Sequence, residues 1–296
     1  MSDPASRIHL QDISTALADA VASVSSSIVA VHSHRSRSSG FVWRAGLIVT
    51  ADEALADEGD ITAIVSGGET VAARLIGRDP STDIALLRVD HSDLPPAPIA
   101  ATPAAVGTLT LVVGAEEGAP TAALGVVSRI AGPWQSLRGG AIDTRIELGL
   151  AMRGQAEGGL ALDAAGQAFG MAVFGPRWRV LVIPTATIER VAPRLEQHGR
   201  ISRGYLGLGL QQVTLQGEEG VGVMVMRVDP QGPGAAAGVR QGEVLVTWNG
   251  EPLRNVLSLL RVLGPESVGQ TVALGLRRAG EAREITLTIG ERPSVE

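Results

Sequence analysis

The side chains that could do chemistry in this chain form a restricted set. Its 296 residues include 31 acidic residues but no cysteine, and all 25 basic residues are arginine, because no lysine occurs. The missing cysteine excludes thiol nucleophiles, disulfides, zinc–thiolate centres and iron–sulfur clusters. The missing lysine excludes Schiff-base, pyridoxal-phosphate and P-loop chemistry. The five histidines are His9, His32, His34, His91 and His198.

Two of these histidines have a spacing that could serve a metal ion. His32 and His34 alternate on an expected strand, so that both would lie on one face of it. They precede Arg35 and Arg37 at the end of that strand, which favours an exposed basic loop instead. The glycines between Gly204 and Gly209 could suggest a phosphate-binding loop, but no helix follows them. We therefore predict no metal, no nucleotide and no other cofactor.

Composition and length limit the class of protein. At about 150 residues per domain, 296 residues correspond to about two domains. With 45% apolar and 3% aromatic residues, aliphatic side chains must fill the core. The net charge of −6 argues against nonspecific nucleic-acid binding. No apolar run approaches the roughly 18 residues of a membrane span, and no signal peptide is visible, so we expect a cytoplasmic protein as written, or a periplasmic one if a leader has been removed.

The elements that must position any site are short strands. Apolar residues at helical spacing predict a helix over 8–24, and β-rich runs follow it, which together indicate a mainly β fold. A second helix around Ile188 and Leu195 is expected to be short or kinked at Pro193. The polar joint at 198–204 predicts two domains, 1–200 and 201–296. The expected strands of the first are 27–31, 41–50, 61–65, 71–76, 84–89, 109–113, 123–130, 142–147 and 178–183.

Six short segments carry distinctive sequence patterns. They are Ser38-Ser-Gly-Phe-Val with Gly46-Leu-Ile-Val-Thr50, Asp79-Pro-Ser-Thr-Asp83-Ile-Ala-Leu-Leu-Arg-Val89, Leu124-Gly-Val-Val-Ser128, Gly158-Gly159 with Leu162-Asp163 and Gly170-Met171, Leu181-Val-Ile-Pro184, and Gly204-Tyr-Leu-Gly-Leu208. In order and spacing they resemble the HtrA/Deg family. The resemblance covers nearly the whole chain, and it implies a trypsin-like double six-stranded β-barrel followed by a PDZ domain of the α+β class.

The resemblance also implies where a catalytic triad would stand. Such a triad needs a hydroxyl nucleophile, an imidazole base and a carboxylate that orients the imidazole. In this chain Glu53 occupies the base position and Glu157 the nucleophile position, and only Asp83 has the family's residue type. Gln155 stands where the family has glycine, two residues before the nucleophile. We therefore predict that no triad is intact and that the protein is not an enzyme but a pseudoprotease.

Three carboxylates in one cleft leave other interpretations open. Glu53, Asp83 and Glu157 cannot all ionise cheaply if they converge, so either their pKa values rise or a cation lies among them. A Ca²⁺ or Mn²⁺ site and a glycosidase-like carboxylate pair are both conceivable. Divergence of an unused cleft into a solvated acidic surface is the simpler interpretation.

The PDZ-like segment predicts a peptide-binding site. In the family, the loop matching Tyr205-Leu-Gly-Leu208 binds a peptide's C-terminal carboxylate through backbone N–H groups, and the peptide then adds as a strand. The peptide-binding residues implied here are Tyr205, Leu206, Gly207 and Leu208, with Leu257 and Leu260 of a following helix completing an apolar pocket. A PDZ fold used only for packing is the alternative.

The leading hypothesis is thus a proteolytically inactive HtrA-like scaffold, adaptor or chaperone that binds polypeptide through its PDZ domain. The alternative is a serine endopeptidase-like hydrolase of weak or unconventional activity, assisted by a metal or by carboxylates. A structural subunit of a larger complex is a third possibility. The family also suggests a homo-oligomer, a trimer, formed through the N-terminal region.

Overall fold

The computed structural model describes residues 10–91, 93–100, 105–215, 221–253 and 255–293. Contacts between residues divide the chain into two compact units. Unit 1 comprises 1–134 and 141–200, and unit 2 comprises 135–140 and 201–296. The first two residues of the predicted helix over 8–24 lie outside the described residues, and α1 runs over Leu10–Val24. None of the helices in the described ranges is long and apolar enough to cross a membrane.

Unit 1 begins with a closed antiparallel barrel of six strands, in the order β1-β2-β3-β6-β5-β4. Closure leaves no unpaired edge, which suits short apolar strands. The barrel interior packs valine, leucine and alanine side chains, as the low aromatic content requires. The six strands are β1 (Ile28–Ser33), β2 (Ser36–Arg44), β3 (Leu47–Thr50), β4 (Ile61–Ile64), β5 (Thr70–Asp79) and β6 (Ile84–Val89).

A second closed barrel completes unit 1, in the order β11-β14-β13-β12-β7-β8. The two six-stranded barrels confirm the predicted double-barrel fold. The short strands β9 and β10 form a separate pair. The strands are β7 (Leu109–Glu116), β8 (Ala119–Ala131), β9 (Trp134–Gln135), β10 (Ala141–Ile142), β11 (Arg145–Gly149), β12 (Leu160–Leu162), β13 (Ala168–Phe174) and β14 (Val180–Pro184).

Two predicted elements differ from the structure. The single run over 41–50 is a hairpin, because Gly46 takes the left-handed φ of 70° that turns β2 into β3. Helix α2 (Thr185–His198) is neither short nor interrupted, because it continues through Pro193 for 14 residues. Its buried face, which includes Ile188, Val191 and Leu195, secures it to unit 1, and packing there outweighs the proline.

Unit 2 is an antiparallel sheet in the order β16-β17-β18-β20-β21, with a leucine- and valine-rich core. Among the residues that the structure describes, β16 has no neighbour on its outer edge. Two helices complete the unit, α3 (Pro233–Ala236) and α4 (Val256–Val262). The strands are β15 (Gly204–Tyr205), β16 (Leu208–Thr214), β17 (Val221–Val228), β18 (Val244–Trp248), β19 (Glu251–Pro252), β20 (Thr271–Arg278), β21 (Glu281–Thr288) and β22 (Gly290–Glu291).

The second barrel offers a direct test of its core. Leu162 on β12 is 0% exposed, whereas Leu124 on β8 is 51% exposed. We expect Leu162→Ala to lower the free energy of unfolding by about 2–5 kcal/mol, since it removes buried methyl groups and leaves a cavity. Leu124→Ala is the control, with a change below about 1 kcal/mol. Guanidinium titration in a Trp248→Phe background measures both by fluorescence of Trp43, Trp134 and Trp178, which all belong to unit 1.

Candidate active site

The loop after β3 carries Glu53, and buried polar contacts hold it in place. Asp52 is 2% exposed, and its carboxylate accepts a hydrogen bond from Arg78 Nε at 2.5 Å. Arg78 also donates to the carbonyl of Asp52 at 3.2 Å. The side chain of Glu53 itself is exposed. The loop therefore has a rigid base and presents one carboxylate to solvent.

Asp83 is presented by the turn that joins β5 to β6. The buried carboxylate of Asp79 accepts hydrogen bonds from Ser81 Oγ at 2.5 Å, Ser81 N at 3.1 Å and Thr82 Oγ1 at 2.7 Å. This network shapes the turn, and Asp83 takes a left-handed φ of 58°, which aspartate tolerates better than most residues. Asp83 Oδ1 then accepts the N–H of Glu53 at 2.8 Å.

Glu157 reaches the same region because two glycines follow it. Gly158 has φ 83°, and a Cβ there would lie 2.2 Å from the carbonyl oxygen of Ser39. A Cβ on Gly159 would lie 2.5 Å from the carbonyl oxygen of Val113. Only glycine allows these approaches. The carbonyl of Glu157 accepts the N–H of Ser39 at 2.8 Å, and its Oε1 accepts the N–H of Phe174 at 3.2 Å.

Ser39 is a site residue that sequence reasoning did not single out. It is 0% exposed, and its hydroxyl donates to the carbonyl of Gln155 at 2.6 Å and accepts the N–H of Ala115 at 2.9 Å. Its carbonyl accepts Thr50 Oγ1 at 2.7 Å. The side chain thus links β2 of the first barrel with β7 and the Glu157 loop of the second. A polar residue inside the buried hairpin 38–50 was the available signal.

The structure brings Glu53, Asp83 and Glu157 together, as the resemblance implied. Loss of hydration raises the pKa of Asp83 to about 8; the charges of Glu53, Glu157 and Asp52 add to this rise, and the hydrogen bond from the Glu53 N–H opposes it. Partial burial also raises the pKa of Glu157, with a further contribution from the charge of Glu53. Asp83 therefore holds its proton at neutral pH, and it lies beside the exposed side chain of Glu53.

The backbone N–H of Glu157 is not open to a substrate oxygen. The N–H of Glu157 donates to the carbonyl of Gly154 at 3.1 Å, within a 3₁₀ turn over Gly154–Ala156. The side chain of Gln155 donates to Glu116 Oε1 at 3.1 Å. A developing negative charge on a substrate oxygen would thus need a side-chain acid rather than this N–H group.

Metal ligation is not favoured by the described side chains. Within the described ranges, no group of three or more histidine, aspartate and glutamate side chains has a geometry that could hold a metal ion. His32 lies on β1, 3.7 Å from Glu117, while His34 lies in the turn after that strand with φ 52°. The two histidines therefore do not share a strand face.

The peptide-binding residues of unit 2 have different environments. Leu206 is 3% exposed and packs in the core, so the expectation that its side chain lines an open pocket is wrong. Leu208 is partly buried, Leu260 is 43% exposed, and the side chain of Leu257 lies outside the described residues. Gly207 has φ 70°, and Tyr205 donates its hydroxyl hydrogen to Asp229 at 2.8 Å.

Comparison with known proteins identifies the family. The profile of the trypsin-like peptidase domain matches residues 38–171, and that of the PDZ domain matches residues 204–289. The chain is a homologue of the HtrA/DegP family. A "probable periplasmic serine endoprotease DegP-like" of Bartonella henselae is 29% identical, over 89% of this chain and 56% of that protein. The protein of the same name from Brucella suis is 30% identical, over 86% of this chain and 53% of that protein.

Solved structures agree with this fold. A serine endoprotease from Yersinia pestis superposes with a TM-score of 0.71 at 24% identity, covering 93% of this chain and 98% of that one. The HtrA-type protease AlgW with a decapeptide superposes with a TM-score of 0.70 at 22% identity, covering 94% of this chain and 99% of that one. At these identities the likeness shows the fold alone. This HtrA/DegP homologue spans little more than half the length of its curated relatives.

These comparisons correct our functional prediction. The relatives are named as serine endoproteases, and this finding contradicts the prediction of a non-enzyme and of a proteolytically inactive scaffold, adaptor or chaperone. The alternative, an endopeptidase-like hydrolase of unconventional mechanism, fits better. The relatives are also named as periplasmic, which does not support the expectation of a cytoplasmic HtrA/DegP homologue.

The raised pKa of Asp83 predicts a distinctive stability profile. Unfolded aspartate ionises near pH 4, whereas folded Asp83 holds its proton to about pH 8. The free energy of unfolding of the wild type should therefore decrease as the pH rises from 4 to 8. Asp83→Asn keeps the acceptor for the Glu53 N–H and tolerates the left-handed φ. We expect it to stabilise the fold at pH 8 by about 1–2 kcal/mol, less than the full shift because the side chain keeps some contact with water.

The measurement is thermal or chemical unfolding from pH 4 to pH 9. The exposed Asp60 provides the matched control, since Asp60→Asn should leave the pH profile of the wild type intact. A profile for Asp83→Asn that parallels the wild type would contradict an elevated pKa at this position.

Proposed function

We propose that unit 1 hydrolyses peptide bonds by carboxylate-assisted attack of water. The observation that carries the proposal is the meeting of Glu53, Asp83 and Glu157 within an endopeptidase fold, where the pKa values of Asp83 and Glu157 are raised. Pairs of carboxyl groups held in different protonation states supply both an acid and a base. We also propose that the two domains comprise residues 1–200 and 201–296, the limits that the sequence predicts.

The roles follow from exposure and protonation. Exposed Glu53 acts as the general base and takes a proton from water as the water oxygen bonds to the carbonyl carbon. Glu157, whose raised pKa favours the acid form, gives a proton to the carbonyl oxygen, and the product of this step is a neutral gem-diol. The C–N bond then breaks as Glu53 passes its proton to the amine and Glu157 recovers one from a diol hydroxyl. Asp83 is a positioning residue, through its hydrogen bond with the Glu53 N–H.

The test is turnover of casein and of quenched-fluorescent peptides by the full chain. We expect a bell-shaped pH profile, since the base must be ionised and the acid protonated. Glu53→Gln and Glu157→Gln should each lower kcat by about 100-fold or more, the usual contribution of general acid–base catalysis. Glu189→Gln, an exposed control, should keep wild-type kcat.

Two results would contradict this mechanism. One is absence of turnover in the wild type across pH 4–9, and the other is equal kcat for the wild type and both glutamine variants. Serine-directed fluorophosphonate should not label the chain. Stoichiometric labelling of a serine in unit 1 would instead indicate a serine nucleophile.

We also propose that unit 2 binds polypeptide C-termini. The carbonyl of Leu206 accepts a hydrogen bond from the N–H of Gly234 at 2.7 Å, and the carbonyl of Gly207 accepts one from the N–H of Asp229 at 2.8 Å. Both carbonyl groups are thus used in hydrogen bonds within unit 2. Among the described residues, the N–H groups of Leu206 and Gly207 have no hydrogen-bond partner. These donors adjoin the free edge of β16, and α4 contacts that strand with Leu260 exposed. The HtrA-type protease AlgW, which shares this fold, has been solved with a decapeptide.

Calorimetric titration of the full chain tests this site. Peptides ending in a free Val, Leu, Ile or Ala should bind with micromolar affinity, about −8 kcal/mol. Amidation of that terminus should weaken binding by about 1.5–3 kcal/mol, the strength of a charged hydrogen bond. Leu208→Asp should weaken it similarly, whereas Leu124→Asp in unit 1 is the control. Equal affinity for acid and amide would mean that unit 2 is a packing module.

Location and assembly complete the proposal. We propose a periplasmic protein, as its relatives are named, and a homo-oligomer, a trimer by the family resemblance. Helix α1 supports assembly, because Leu10 is 86% and Ile13 is 37% exposed. Light scattering of the wild type and of Leu10→Glu decides whether this face joins copies of the chain.

A further inference from the structure

A cluster of arginines lies on the second barrel, outside the proposed catalytic groups. Glu147 on β11 meets three guanidinium groups: Arg145 Nε at 2.7 Å, Arg129 at 3.4 Å and Arg179 at 3.5 Å. The side chains of Arg129 and Arg179 are 58% and 51% exposed, while Glu147 is 8% exposed. The cluster therefore presents cations to solvent and keeps its carboxylate inside.

This cluster carries an excess of positive charge. Bonding to Arg145 and the charges of Arg179 and Arg129 outweigh burial and lower the pKa of Glu147, so it stays ionised. In the described part of the chain, Glu147 is the only carboxylate that pairs with these three guanidiniums. One negative charge thus faces three positive charges, on a chain whose net charge is −6. Such a local reversal of sign attracts anionic ligands.

Two tryptophans flank the arginines. Trp134 packs under Arg145, with the guanidinium carbon 5.0 Å from the ring centroid. Trp178, which immediately precedes Arg179, is 81% exposed and meets the Phe174 ring edge-on at 5.3 Å. We call Arg129, Arg145, Arg179, Trp134 and Trp178 the basic–aromatic surface.

The turn that displays Trp178 is strained. Arg177 and Trp178 take left-handed φ values of 61° and 57°, an arrangement that costs energy in residues other than glycine. A short hydrogen bond from Gly175 N to the carbonyl of Arg179, at 2.7 Å, closes the turn. Strained backbone that exposes a large aromatic side chain is typical of recognition sites.

The basic–aromatic surface is continuous with the acidic cleft. Phe174, the ring partner of Trp178, donates its N–H to Glu157 Oε1 at 3.2 Å. A bound polypeptide would therefore pass from the carboxylates directly onto the tryptophan and the arginines. The exposed guanidinium groups of Arg129 and Arg179 would attract acidic side chains of that polypeptide, which sets the position of the bound chain.

We propose that the basic–aromatic surface binds acidic side chains of an extended polypeptide, next to an apolar residue that packs on Trp178. The occupant is the substrate class of the proposed hydrolysis, so the inference rests on that function. Peptide binding is measured without turnover, so a failure of the proposed binding surface can be distinguished from a failure of the proposed hydrolysis.

The experiment uses the full chain carrying Glu157→Gln, which slows the proposed cleavage during the measurement of binding. The probes are two labelled peptides with one central Leu-Phe pair, flanked by Asp and Glu in one peptide and by Asn and Gln in the other. Both are amidated, so that the proposed carboxylate site of unit 2 is not engaged. Fluorescence anisotropy should give a Kd for the acidic peptide about three- to tenfold lower, and rising ionic strength should remove this difference.

Variants assign the effect to the surface. Arg129→Gln with Arg179→Gln should abolish the preference for the acidic peptide, and Arg145 is retained to pair Glu147. The control, Arg44→Gln with Arg153→Gln, removes the same charge at two exposed arginines elsewhere and should preserve the preference. Trp178→Ala should weaken both peptides by a similar factor, and thermal melting checks that every variant is folded.

Three outcomes would overturn the inference: equal binding of the two peptides, a preference that survives in the Arg129/Arg179 variant, or tighter binding of single-stranded oligothymidylate of the same charge. The last would assign the surface to another polyanion. If the peptide preference holds while turnover is absent, the surface stands and the proposed hydrolysis fails.

Discussion

The buried contacts of Ser39 hold the candidate active site together. This one residue pairs through its N–H with the loop of Glu157, through its carbonyl with Thr50, and through its hydroxyl with Gln155 and Ala115. A buried polar side chain that lost these partners would carry a desolvation cost of about 1–3 kcal/mol, so the two barrels are constrained to meet in one way. The glycines after Glu157 serve the same end, because a Cβ at Gly158 would collide with the carbonyl oxygen of Ser39 and a Cβ at Gly159 with that of Val113.

That constraint has an electrostatic consequence. Glu53 from the loop after β3, Asp83 from the β5–β6 turn and Glu157 from the second barrel are brought into one partly dry site, where the pKa values of Asp83 and Glu157 rise. Elsewhere on the second barrel, Arg179 pairs with Glu147 together with two other arginines. The pKa of Glu147 is lowered there, so this carboxylate is stabilised as an anion. Carboxyl groups of neighbouring regions thus differ in protonation: burial and like charges favour the neutral acid in the first region, and pairing with arginine favours the anion in the second.

Much of the architecture could be predicted from local pattern. The buried run at 84–89 coincides with β6, and Gly199 ends α2 in the left-handed conformation that a helix terminus favours. The effect of Pro193 was overestimated, since local propensity yielded to packing. The function was wrongly predicted, because replacement of a nucleophile and a base was equated with loss of a reaction. Carboxyl groups can also activate water, and whether they do so depends on protonation, which residue type alone does not define.

The amino-acid sequence by itself determined the available chemistry: no thiol, no amine side chain, carboxyl groups where the family resemblance implies a triad, and strands short enough to close barrels. Tertiary structure alone decided that Ser39 would join the two barrels, that Leu206 would belong to the core, and that Trp178 would stand exposed against the Phe174 ring. The physical reason is that burial and charge–charge energy depend on neighbours far away in the chain. Asp79 and Asp83 are both aspartates of one short turn, yet one shapes the backbone and the other holds a proton to about pH 8, because only their surroundings differ.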